Sequence, residues 1–164
     1  MSITISLPKA LLQKVHEQKI DLEKIVIEFL LRELKLNPDE LVKIHIELAK
    51  KYLNEGKKLV EKDPVQASEK LYKAVEESIK ALAIVENLEE ILRRVKNRGR
   101  WTVTDLDKAA RKLSKKIGKW VLHTLDHAWT LHVWGFHEGK LDSEAVKERI
   151  PEIEKMVKYV EKFE

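Results

Sequence analysis

The chain has 164 residues, a formal net charge of +4, 43% hydrophobic and 37% charged side chains, five glycines, four prolines and no cysteine. That length suits one domain with a small appendage. Disulfides and thiolate metal sites are excluded, and no apolar run approaches the roughly 20 residues of a membrane span. With no signal-peptide pattern at its start, the chain is expected in the cytoplasm. Abundant Lys and Glu beside only seven Asn and Gln lean toward a thermophilic source.

The charge is unevenly placed. From Arg93 to Lys119 there are eleven basic residues against two acidic ones, Asp105 and Asp107. Such a concentration is the footprint expected of nucleic-acid contact. A solvated helix face carries charge runs too, and no groove-reading motif accompanies this one.

In chain order, Ser2-Ile3-Thr4-Ile5-Ser6-Leu7 alternates hydroxyl and aliphatic side chains, which predicts a half-buried strand. Pro8 opens a helix with Leu11, Leu12 and Val15 at helical spacing, and Asp21 caps a second with Ile25, Ile27, Phe29, Leu30 and Leu34. Residues 2–36 resemble a ribbon-helix-helix module. In that family, strands from two chains pair and outward residues enter the DNA major groove; here those positions are Ser2, Thr4 and Ser6. The strand carries no Arg or Lys, and Lys19-Ile20 replace the usual Gly of the inter-helix turn. Residues 1–36 are therefore expected to dimerise or dock, ahead of a helical-bundle domain over 37–164.

Asn37-Pro38 breaks the chain, and a helix over about 39–62 turns Leu41, Ile44, Leu48, Tyr52 and Leu59 inward. Asp63, Pro64 and Gln66 form a capping-box start for the next helix, which reaches about Val85. Its inward face is Leu71, Ala74, Val75, Ser78, Ile79 and Leu82; Glu69–Lys73 and Glu76–Lys80 pair on an outer face. A helix over 87–98 ends at Gly99, which puts Arg93, Arg94, Lys96, Arg98 and Arg100 at a helix end and its loop. These five are the candidate nucleic-acid-binding residues, although cations there also complement the helix dipole. The next helix begins at Thr104 and runs to Gly118 with Ala109, Ala110, Leu113 and Ile117 inward. The last starts at Asp142-Ser143, bends at Pro151 and buries Val146, Ile150, Ile153, Val157 and Val160.

Between these lies Trp120–His137, WVLHTLDHAWTLHVWGFH, with three of the four tryptophans and four of the six histidines. At about 100° per residue, Val121, Leu122, Leu125, Ala128, Trp129, His132, Val133 and Phe136 share an apolar arc. His132 is then a core histidine. The opposite arc holds Trp120, His123, Asp126, His127, Thr130, Trp134 and His137. His123, Asp126, His127 and His137 are the candidate catalytic residues, as general acids or bases. His123 and His127 at i,i+4 also suit a metal, but no HExxH glutamate lies between them and no metal or cofactor is assigned. The third reading is a buried polar-aromatic interface.

Residues 51–56 (KYLNEG), 64–83 (PVQASEKLYKAVEESIKALA) and 131–138 (LHVWGFHE) resemble the archaeal paralogous-repeat (PaREP) family over most of 38–160. That resemblance implies a helical bundle related to HEPN domains, which dimerise, partner nucleotidyltransferases, or cleave RNA without metal through an Arg-x(4–6)-His motif. No arginine of this chain has a histidine at that spacing, so those nuclease residues do not carry over. The expectation is an all-α, up-and-down bundle of about five main helices behind a strand-helix-helix segment, forming a homodimer. Its function is expected to be an interaction module that meets nucleic acid, nucleotide phosphate or a protein partner. The alternative is a divergent HEPN-type ribonuclease, or nucleotidyltransferase partner, using His123, His127 and His137.

Overall fold

The computed structural model describes residues 2–164, which are helical with no strand among them. They separate into two compact units that meet between Leu36 and Asn37. No helix among the described residues is long and apolar enough to cross a membrane.

The first unit holds α1 (Lys9–Glu17) and α2 (Leu22–Glu33). Asp21 caps α2 by accepting from the Lys24 N–H at 3.0 Å. The turn between the helices passes through Lys19 in the left-handed region, at φ 51°, where a glycine would sit without strain. Residues 2–7 form no strand. The physical reason is that a strand's N–H and C=O groups need a second edge, and the described chain offers none. No side chain of α1 or α2 is buried.

In the second unit, α3 (Pro38–Leu59) and α4 (Pro64–Val85) fold back on each other. Asn37 and Glu40 form a capping box at the start of α3, and Asp63 caps α4 through the Gln66 N–H. Around α4 pack α3, α6 (Val103–Lys116), α7 (Trp120–Thr130), a π-helical turn (Leu131–His137) and α9 (Ile150–Val160). The shorter α5 (Glu89–Arg98) leans on α6, and α8 (Ser143–Lys147) on α4 and α9. The expected C-terminal helix is thus two helices, with Pro151 in the first turn of α9, where its missing N–H costs no hydrogen bond.

The apolar centre includes Ile46, Leu71, Val75, Ile79, Leu82, Leu113, Leu131 and Ile153. Two expectations shift. The face α3 buries is Val42, Ile46, Ala49, Tyr52, Leu53 and Gly56, rotated from the Leu41-Ile44-Leu48 face. Gly56 lets α4 close in, since a Cβ there would lie 2.7 Å from Leu71 Cγ. The expected outer face of α4 is enclosed as well: Lys73, Glu76 and Lys80 are buried because helices surround α4 on every side.

Candidate functional site

At Thr130 the helix that began at Trp120 changes from i→i+4 to i→i+5 hydrogen bonding. Single π turns of this kind concentrate at functional sites because they re-aim side chains that an α-helix would keep apart. This one is seated by Gly135: a Cβ there would lie 2.6 Å from Ser68 Cβ, so only glycine lets the turn lie against α4. Ser68 itself donates to the Pro64 carbonyl.

The seated turn brings three titratable groups into a chain. His132 Nδ1 lies 2.7 Å from the Glu69 carboxylate of α4, and His132 Nε2 lies 3.1 Å from His137 Nε2. Glu69 accepts, so His132 Nδ1 carries the hydrogen. In the neutral pair His132 Nε2 then accepts from His137 Nε2–H, and His137 Nδ1 is left as an open acceptor. Glu69 and His132 are largely enclosed while His137 is exposed, so the chain runs from the protein to solvent.

Aromatic rings fix His132. Tyr72 stacks on it at 4.2 Å and Trp129 lies at 5.3 Å, with Phe136 on another side at 6.2 Å. Burial pushes the Tyr72 hydroxyl far above the ordinary phenol range, and the carboxylates of Glu76 and Glu69 add to the effect, so Tyr72 stays protonated at neutral pH. Trp129 and Trp134 are 40% and 58% exposed and flank the site as open rings.

The helical-wheel arrangement therefore needs correcting. His132 is partly enclosed in a polar chain rather than sealed in the core, Trp129 is open rather than buried, and Trp120 packs against the core instead of joining a surface stripe. For His132 and its contact with His137 the reason is the change of period: residues five apart sit about 140° apart on an α-helix but close together on a π turn. Trp120 and Trp129 lie in the α-helical part, where the neighbouring helices decide which side is covered. Of the candidate residues, His137 joins this centre. His123 and Asp126 are exposed and His127 is half-buried, and none of the three side chains makes a hydrogen bond or ion pair. Among the described residues no three His, Asp or Glu side chains gather to hold a metal ion.

A second polar centre joins the Glu76–Lys80 pair, expected on an outer face, to His45 and Glu77, which no sequence pattern marks. His45 Nδ1 meets Glu77 at 2.6 Å, and Lys80 bridges Glu77 at 2.8 Å and Glu76 at 3.0 Å, with all four residues buried between α3 and α4. Burial alone would push the Glu77 carboxyl up, but Lys80 and His45 together hold it down at about 2. Burial would likewise lower Lys80, and Glu76 and Glu77 overcome it and raise the ammonium above its ordinary range. The signal that could have exposed this cluster is the row of small residues Ala67, Ala74, Ala81 and Ala83, which allows helices to close on α4 from several directions.

The basic tract divides. Arg98 donates to Asp105 at 2.6 Å, and that carboxylate also accepts from the Thr102 N–H and hydroxyl at the start of α6. Arg94 pairs with Glu90 at 3.8 Å. Arg93, Lys96 and Arg100 are exposed, and none takes part in an ion pair.

The sequence profile of the Archaeal PaREP1/PaREP8 family matches residues 44–157. The chain belongs to this family. The matched span carries both polar centres and the basic tract of this PaREP1/PaREP8 protein and leaves out its first unit. A crystal structure of a Sulfolobus solfataricus protein is similar, with 40% identity, a TM-score of 0.65, and coverage of 71% of this chain and 95% of that one. A solution structure of the same structural-genomics target has 42% identity and a TM-score of 0.63, with 71% and 90% coverage. No curated protein matches the chain.

Proposed function

We propose that this PaREP1/PaREP8 protein is a HEPN-like helical interaction module that binds nucleic-acid phosphate and works as a homodimer. The observation that carries the reading is the division of the basic tract. Arg98 and Arg94 pair with Asp105 and Glu90, whereas Arg93, Lys96 and Arg100 hold their charge toward solvent along α5 and the loop that follows it. Unpaired cations on one short stretch of chain release counterions from a phosphate backbone. Pairing of two copies is supported by the first unit, where Ile3, Ile5, Leu11, Phe29 and Leu34 are all at least half exposed. So short a segment with no core of its own gains its stability from a partner.

The test is binding of labelled RNA and DNA across a salt series. Replacing Arg93, Lys96 and Arg100 with Ala is expected to weaken binding and flatten the dependence of log K on log salt by about 2, at ~0.7 per lost single-strand contact. Binding that ignores both salt and the triple substitution would refute the reading.

The Glu69–His132–His137 chain favours a second reading, metal-independent RNA cleavage. A carboxylate-oriented imidazole pair ending in an open nitrogen supplies the acceptor such a reaction needs for the 2′-hydroxyl proton. RNA cleavage lost in His137→Ala but retained in the arginine and lysine triple variant would establish it. Binding without cleavage in the parent chain leaves the first reading standing.

A further inference from the structure

We propose that the groove between α7 and α9 is a subsite for a nucleobase and its phosphates on a single-stranded nucleic acid; this deepens, and rests on, the nucleic-acid reading above. The groove is open, about 470 Å³, and lies on the Trp120 side of α7, away from the π turn. Its wall is aromatic: Trp120 and Tyr159 meet edge to face at 5.4 Å, and Phe163, outside the lining, backs Tyr159 at 5.8 Å. Gly118 makes room for the indole, since with φ at 143° a Cβ would lie 3.0 Å from Trp120 Cδ1.

The rim is cationic. Lys155 stands over the Trp120 ring at 4.8 Å and Lys162 over the Tyr159 ring at 5.0 Å, and Lys158 also lines the groove. None of these three lysines makes an ion pair. The one acid in the lining, Glu154, is held by Lys57. Rings that offer π faces beside unpaired ammonium groups suit a planar aromatic base joined to phosphate. An apolar partner would have to strip water from three ammoniums, and an acidic peptide would leave the rings unused. A duplex keeps its bases stacked internally, so the occupant is a single strand.

Ring faces now covered by lysines are not lost to the ligand. A base stacked on the open face of these half-buried rings gains more than an ammonium resting there, so the base displaces the lysine, whose flexible stem carries the charge to the adjoining phosphate. The groove thus converts intramolecular cation–ring contacts into strand contacts.

The experiment is fluorescence anisotropy with a labelled oligouridine, its abasic counterpart, a duplex, and uridine monophosphate alone. Lys155→Glu with Lys158→Glu, both exposed, is expected to weaken oligouridine binding roughly tenfold. Trp120→Leu, with folding checked by circular dichroism, is expected to cost about fivefold or more for oligouridine and nothing for the abasic strand. Groove variants that bind oligouridine as the parent does, while the Arg93, Lys96 and Arg100 variant loses it, would overturn the groove and leave the nucleic-acid reading intact. Failure of every strand to bind would overturn both. Monophosphate binding as tight as the oligomer would overturn the strand assignment in favour of a free nucleotide.

Discussion

His132 and His137 share a hydrogen bond of 3.1 Å between their Nε2 atoms, a contact that depends on the π turn between them. Glu69 at the far end of the pair sets the direction of the hydrogen along it. In the neutral protein His132 is expected as the Nδ1–H tautomer and His137 as the Nε2–H tautomer. Long-range nitrogen–proton NMR on labelled histidine reads both forms directly. Glu69→Ala should release the His132 preference, and an unchanged spectrum would show that the carboxylate does not set it.

Gly135→Ala places a methyl group 2.6 Å from Ser68 Cβ, so the turn must lift from α4. The expected loss is about 2 kcal/mol of stability. Adding Ser68→Gly should recover part of it in thermal melts, because the obstruction lies between these two side chains. Ser68→Ala should recover less, since it removes the nearest atom, Oγ, but keeps the Cβ at 2.6 Å.

Glu77 gives the fold an acid-sensitive element. Its carboxyl titrates at about 2 in the folded chain against an ordinary value of 4.5. A depressed folded value contributes stability that is present above 4.5 and is lost as pH falls toward 2. The melting temperature is therefore expected to drop across that window. Glu77→Gln should flatten this part of the profile and cost about 3 kcal/mol at neutral pH, because Lys80 and His45 lose a buried partner.

Arg98 and its unpaired neighbours should separate cleanly. Arg98→Ala breaks the pair with Asp105 that ties α5 to the first turn of α6, and about 1 kcal/mol is expected, modest because the Arg98 side chain is 37% exposed. Replacing Arg93, Lys96 and Arg100 should change stability by less than about 0.5 kcal/mol. Denaturant titration distinguishes the two classes, and equal losses would show that the tract is structural throughout.

Ile3 and Ile5 are 85% and 61% exposed. Ile3→Lys with Ile5→Lys is expected to convert a dimer into a monomer in light scattering while the helical content of residues 37–164 persists. A parent chain that is monomeric at high concentration would refute the pairing.

Much of the helical plan is legible in the residues because caps are local chemistry. Asp21, Asn37 with Pro38, Asp63 with Pro64, and Asp142 each mark a helix start through side-chain contacts spanning three residues. Which faces become buried is a property of the whole assembly. Leu41, Ile44 and Leu48 are the more conspicuous apolar series on α3, yet the neighbouring Val42, Ile46 and Ala49 meet α4. Glu76 and Lys80 read as a solvent pair because nothing within one helix says it will be enclosed on all sides. The candidate site was half visible for a related reason: composition marks Trp120–His137, but a wheel drawn at one period cannot foresee a change of period at Leu131.

The His45–Glu77–Lys80–Glu76 cluster also governs how the two long helices line up. A helix lined on most sides by alanine and aliphatic side chains has many nearly equivalent ways to slide along a neighbour. A slip of α4 against α3 by one turn, about 5.4 Å, would separate Glu77 from His45 and leave the buried carboxylate to Lys80, which sits on the same helix and moves with it. Losing one buried charge-assisted hydrogen bond costs about 2 kcal/mol, a sizeable share of a domain's net stability. The ionic contacts therefore work as an alignment key, admitting one register of the α3–α4 pair and rejecting those a turn away.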